Sequence, residues 1–221
     1  MGTAMRIGRI IGVLLLVQIV AGVTVNFVLM APVFAAPGFL VNAAAHSLQI
    51  SIAVLIGLVT GALSVGIAIA ALPVFRQYSY SMALWFLALA IVGFTLTAFE
   101  NMSLLSALSL SQTYTEANGA DSELFQILRG VVASTRNWAH YITLIVGGVS
   151  VFVLYSILYR FSLVPRVLAG FGLLAALLQL SAVTMPIFGY SIVLLMIMPL
   201  ALSHLILALW LIVKGFPERQ S

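Results

Sequence analysis

Residues 10–30 carry no charged side chain. A run of that length is what a helix needs to cross the roughly 30 Å hydrocarbon core of a bilayer. Further apolar runs of similar length follow. In lipid each must satisfy its backbone N–H and C=O groups internally, so the spans are helices. Composition agrees: 63% of the 221 residues are hydrophobic and 6% are charged, against about 25% charged in soluble domains. The expected fold is all-α: a polytopic membrane protein, one six-helix transmembrane bundle over residues 1–221.

The spans are expected near residues 7–30, 45–72, 81–108, 138–159, 166–185 and 190–213. The first apolar run is longer than the ~7–15 residues of a signal-peptide core, and Ala35-Ala36 is followed by Pro37, so it is read as a retained helix. Gly8 with Gly12, and Gly57 with Gly61, form GxxxG pairs read as close-packing positions. Loops are expected at 31–42, at 73–80 after Pro73, and at 109–120, where Asn118-Gly119 is a turn signal. Pro199 is expected to kink the last span. Residues 121–136 space apolar side chains at Leu124, Phe125, Leu128, Val131 and Val132. That spacing predicts a short interfacial helix lying in the membrane plane before the fourth span.

Orientation follows from counting cations. Arg6, Arg9, Arg76, Arg160, Arg166, Lys214 and Arg219 fall on one side of the expected topology, Arg129 and Arg136 on the other. The richer side is cytoplasmic by the positive-inside rule. Both termini are therefore expected in the cytoplasm of a multi-pass cell-membrane protein. Trp85, Tyr159 and Trp210 at inner span ends, with Tyr114, Trp138 and Tyr190 at outer ends, fit the interfacial placement of aromatics.

Several function classes are excluded. The net charge of +4 comes from cations scattered at helix ends, with no basic run, so no nucleic-acid partner is expected. The chain has no cysteine, which removes disulfides, thiolate metal sites and cysteine nucleophiles. GxSxG, HExxH and the phosphate-binding glycine loop are absent. The sole lysine, Lys214, sits at a membrane edge and does not suit a retinal. His46, His140 and His204 differ in depth, against a shared metal, whose ligands must converge at ~2.0–2.1 Å.

The chemistry that remains is polar and lies near outer helix ends. Residues 121–150 place Arg129, Arg136, His140, Thr143, Gly147 and Ser150 on one stripe. Glu100 and Asn101 lie near the outer end of the third span, Glu100 about 19 residues or roughly 28 Å from its inner end. A charge at the bilayer centre costs ~2.5–3.5 kcal/mol on insertion scales and less near the interface. Arg136 and His140 open the next span at matching depth, so a pair with Glu100 is expected. His46, sharing a face with Asn42 and Gln49, completes a candidate outward-facing pocket of Glu100, Asn101, Arg136, His140 and His46. The bland reading of the same group is an ion pair that fixes helix packing, with His46 solvated. His204, mid-span, is expected to bond to a neighbouring helix.

Two C-terminal segments carry a family resemblance. Tyr159-Arg160-Phe161-Ser162-Leu163-Val164-Pro165-Arg166-Val167-Leu168-Ala169-Gly170 is followed by Leu209-Trp210-Leu211-Ile212-Val213-Lys214-Gly215-Phe216. Together they resemble the pattern Y-R-S-x-x-x-P-R-x-L-G, then W-L-x-x-K-G, of a bacterial family of six-helix inner-membrane proteins catalogued as a domain of unknown function. Here Phe161 precedes the serine, and Ala169 stands where the family often has glycine. The resemblance covers about the last third of the chain. It implies the six-span topology and brings no activity, cofactor or catalytic residue.

The favoured functional reading is a non-enzymatic membrane protein whose pocket binds or transports a small amphiphile or lipid. A structural or accessory subunit with membrane-protein partners is the runner-up, motivated by the absence of large soluble loops. No cofactor is expected in the favoured reading. The third reading is a redox protein or membrane enzyme using His140 with Glu100, with a haem or chlorin between His46 and His140, since haem accepts axial histidine.

Overall fold

The computed structural model describes residues 2–117 and 122–218. The expected turn at Asn118-Gly119 and the cation Arg219 lie outside the described residues. Six helices are long and apolar enough to cross a membrane: Thr3–Leu29, Ser47–Phe75, Tyr80–Glu116, Glu123–Arg160, Arg166–Phe188 and Leu194–Lys214. No strand occurs among the described residues. The chain is a multi-pass α-helical membrane protein.

Helix α1 (Thr3–Val23) runs into a π-helical segment, Thr24–Leu29. Two short helices, α2 (Ala31–Phe34) and α3 (Phe39–Ala45), occupy the region read as a loop from Pro32 and Pro37. Pro32 sits in the first turn of α2, where its missing N–H costs nothing. The long helices are α4 (Ser47–Phe75), α5 (Tyr80–Glu116), α6 (Ser122–Arg160), α7 (Arg166–Thr184) and α8 (Met198–Lys214).

Three boundaries differ from the sequence expectation. Helix α5 continues through the polar stretch 109–116, which was read as loop. The hydroxyls of Ser109, Thr113 and Thr115 donate to the carbonyls of Leu105, Ser109 and Ser111, one turn back. Polar side chains satisfied on their own helix do not break it. At 37 residues, α5 is about 55 Å long, well beyond the ~30 Å hydrocarbon core.

The amphipathic stretch before the fourth span is helical but not a separate element. It is the first part of α6, 39 residues without interruption. Gly130, the one candidate bend, does not break the helix.

Proline positions account for the third difference. Pro73 lies inside α4, which ends at Phe75. Pro199 stands in the first turn of α8 and starts that helix rather than kinking it.

The chain divides into two compact units. The first comprises residues 1–19, 62–93 and 144–221. Its core is built on Phe75, Tyr155, Leu158, Leu207, Leu211 and Phe216, each less than 2% exposed. Ser203 donates to the Tyr155 hydroxyl at 2.6 Å inside it. Glycines let the helices meet closely. A Cβ at Gly12 would lie 2.7 Å from the carbonyl oxygen of Ala208, and one at Gly8 would collide with the backbone of Phe216. This pair therefore packs α1 on α8 and its following segment, as its GxxxG spacing suggested.

The second unit comprises residues 20–61 and 94–143. Its core gathers Met30, Val33, Phe39, Ile50, Val54, Leu104 and Leu108. Asn42 ties α3 back to the preceding turn, its amide donating to the carbonyls of Pro32 and Ala35. The buried Ser111 hydroxyl accepts from the Ala44 N–H at 2.9 Å, joining α5 to α3.

Candidate functional site

The second unit holds a small polar cavity of about 120 Å³. Helix α5 contributes Glu100 and Asn101, α6 contributes Arg136 and His140, and the π-helical segment contributes Asn26. Arg136 and His140 lie one turn apart on α6, so both reach the same wall. On α5, Glu100 and Asn101 are adjacent and still both line the cavity. They manage this because Asn101 packs against Gly57 of α4, where an added Cβ would come within 2.9 Å of its amide nitrogen.

Glu100 Oε1 lies 2.7 Å from His140 Nδ1. With Glu100 ionised, a carboxylate can only accept, so Nδ1 carries the proton and donates. That fixes the ring: Nε2 is left to face other partners, and the second carboxylate oxygen remains an acceptor. Among the described residues this is the one acid–base pair within 4 Å.

Arg136 is held differently. Its guanidinium carbon stands 4.3 Å from the ring centroid of Phe34, at the end of α2. That stacking supplies cation–π attraction. It leaves the N–H fork of Arg136, which has no carboxylate within 4 Å among the described residues. Asn101 adds a second donor: its amide nitrogen is buried and has no hydrogen-bond partner. Buried donors in folded proteins are almost always paired, with protein or with ordered water. A cavity of this size has room for several water molecules. It is far below the ~300–1,000 Å³ typical of a site enclosing a whole drug-sized ligand.

Of the five residues singled out from sequence, Glu100, Asn101, Arg136 and His140 come together. His46 does not. It terminates α3, where its Nδ1 lies 2.9 Å from the Asn42 carbonyl, and it is not part of the cavity wall. Gln49 is also outside the wall, with a buried Oε1 that has no partner. The rest of the α6 stripe disperses. Arg129 donates to Gln126, and Thr143 donates to the Ala139 carbonyl.

Ser150 and His204 line a separate cavity of about 110 Å³ in the first unit, together with Gln18 and Ser64. Gln18 donates to Ser64 there at 2.7 Å. His204 Nδ1 lies 3.2 Å from the Leu200 carbonyl of its own helix. Its ring meets Tyr155 edge-on at 5.6 Å. The expected bond to a neighbouring helix is thus replaced by one within α8. Among the described residues no three His, Asp or Glu side chains converge as a metal-ligand set.

Asn26 was missed from sequence, and Gly57 was read there only as a close-packing position. Asn26 is a polar residue inside the first apolar run, and that interruption was the available signal. Its amide donates to the Gly22 carbonyl, and Thr24 donates to the Val20 carbonyl. Both hold the segment at which the helix turns from α to π. Single-turn π segments recur at functional sites.

A family model described as "Domain of unknown function (DUF4386)" matches residues 10–215. The chain belongs to this family. The DUF4386 match reaches all six candidate membrane helices, beginning within the first, and the expected membership of a family of unknown function is borne out. No curated protein and no solved structure matches this DUF4386 chain.

Proposed function

We propose that the cavity around Glu100 and His140 binds the polar end of a small amphiphile or lipid whose apolar part stays in the bilayer. The observation that carries this reading is the convergence of unspent hydrogen-bonding groups on one wall. The Asn101 amide nitrogen is buried without a partner, and Arg136 lines the same wall with its guanidinium stacked on Phe34. The cavity volume of about 120 Å³ suits a hydroxyl, amide, carboxylate or phosphate end. It does not suit a tetrapyrrole, and His46 stands outside the wall, so the haem reading has no geometric support.

The bias of Lys and Arg along the chain supports cytoplasmic termini in the cell membrane. By the count of residues along each span, the Glu100 cavity then serves the outer leaflet. Binding is tested by native mass spectrometry of the protein drawn gently from its own membrane, comparing the natural sequence with Asn101→Ala. An adduct of lipid-like mass that is lost in the variant supports the reading. A co-purifying polypeptide in place of an adduct would favour the accessory-subunit alternative.

A further inference from the structure

The two C-terminal segments that carry the family resemblance are separated by 38 residues, and the cavity around Glu100 uses neither. In the first unit they meet. An open groove of about 460 Å³ is lined by Ser162, Pro165 and Arg166 from the first segment and by Trp210, Lys214 and Gly215 from the second. Arg166 is the first residue of one membrane-spanning helix and Lys214 the last of another. Span ends lie at headgroup level, where tryptophan is enriched and cations remain solvated. Both cations are exposed, and among the described residues no acidic side chain lines the groove.

Local backbone geometry holds this arrangement. Helix α6 ends with Leu163 N–H bonded to the Leu158 carbonyl and Ser162 N–H to the Tyr159 carbonyl, the reversed bonds of a Schellman end. The residue in the left-handed position of such an end is usually glycine. Here it is Ser162, at φ 53°. A non-glycine residue there costs of order 1 kcal/mol or more and persists at sites where the side chain has a use. The use is visible: Ser162 Oγ accepts from Arg166 Nε at 3.2 Å, leaving the terminal guanidinium nitrogens for another partner. Across the groove Gly215 takes φ +67° and admits the backbone of Met5, which a Cβ would strike. This tight turn directly follows Lys214, while Phe216 anchors the segment in the core at 1% exposure.

We propose that this groove binds the phosphate of an anionic phospholipid, with Arg166 and Lys214 as its cationic contacts and Ser162 positioning Arg166. A free phosphate shares the chemistry, but the position at the ends of two spans and the flanking Trp210 favour a phosphate attached to lipid.

The test is a native mass spectrometry titration of the full chain in detergent with phosphatidylglycerol, phosphatidylcholine and inorganic phosphate. One phosphatidylglycerol should bind more tightly than phosphatidylcholine. The Arg166→Gln, Lys214→Gln double variant should bind it on the order of 30-fold more weakly, given what each basic residue contributes at an anionic surface. Arg76→Gln, which removes a cation outside the groove, should leave the affinity unchanged. Ser162→Gly relieves the strained position, so it should fold at least as well. It should still lose roughly fivefold in affinity, the effect of one hydrogen bond, even if the double variant fails to fold. Equal binding by the natural protein and Ser162→Gly, or an equal loss in Arg76→Gln, would overturn the proposal. Displacement of the lipid by an equal concentration of inorganic phosphate would assign the groove to a free anion and overturn it as well.

Discussion

Glu100 of α5 and His140 of α6 meet at 2.7 Å, and the pair joins two helices where an isolated carboxylate would be expensive. Because each group compensates the other, removing one strands its partner. Glu100→Ala and His140→Ala should each lower stability by ~1–3 kcal/mol. The double variant should cost distinctly less than their sum, as groups in direct contact are coupled. Thermal unfolding in detergent across this cycle measures the coupling. Strictly additive losses would mean that the contact contributes no energy of its own.

Asn101 should behave in the opposite way. Its amide nitrogen is buried without a partner, and an unsatisfied buried donor costs about 1–3 kcal/mol. Asn101→Ala should therefore leave the ligand-free protein as stable as before, or more so, while abolishing ligand retention. Melting temperatures with and without added lipid extract check both halves.

The glycines separate by what surrounds them. Gly12→Ala drives a Cβ against the Ala208 carbonyl and the Ile212 nitrogen, both backbone atoms, and should destabilise by ~1–3 kcal/mol as overpacking does. Gly66 has nothing within 4 Å of its Cβ position. Gly66→Ala should be neutral or stabilising by up to ~1 kcal/mol through helix propensity. Melting temperatures of the two variants, measured side by side, give the comparison.

Ser162→Gly should raise thermal stability by roughly 1 kcal/mol, because glycine accepts the left-handed backbone without penalty. The gain should accompany the loss of phosphatidylglycerol binding, so a single substitution would separate stability from the proposed use of Arg166. A drop in melting temperature would show instead that the Ser162–Arg166 bond outweighs the strain.

Much of this architecture was legible in the residues, and the gaps have physical causes. Uncharged runs long enough to span a bilayer revealed the six spans, and counting 1.5 Å per residue brought Glu100 and His140 to one depth before any contact was known. Helix ends were harder. Ser109, Thr113 and Thr115 look like loop residues, yet each closes its hydroxyl onto the preceding turn and α5 continues. Pro199 looked like a kink because the pattern could not show that α8 begins beside it. His46 shares the polarity of the cavity residues, but its place at the end of α3 takes it out of the wall, which no periodicity indicated. The partnership of Phe34 with Arg136 depends on the short helix α2, which was hidden in a stretch read as loop.

Ligand binding at Glu100 and His140 is tested most directly by native mass spectrometry of the protein extracted gently from its own membrane, run in parallel on Asn101→Ala and on the Arg166→Gln, Lys214→Gln variant. A small amphiphile is expected on the natural protein, persisting in the groove variant and disappearing from Asn101→Ala. The same adduct on all three, or a bare chain throughout, would contradict a ligand site at Glu100 and His140.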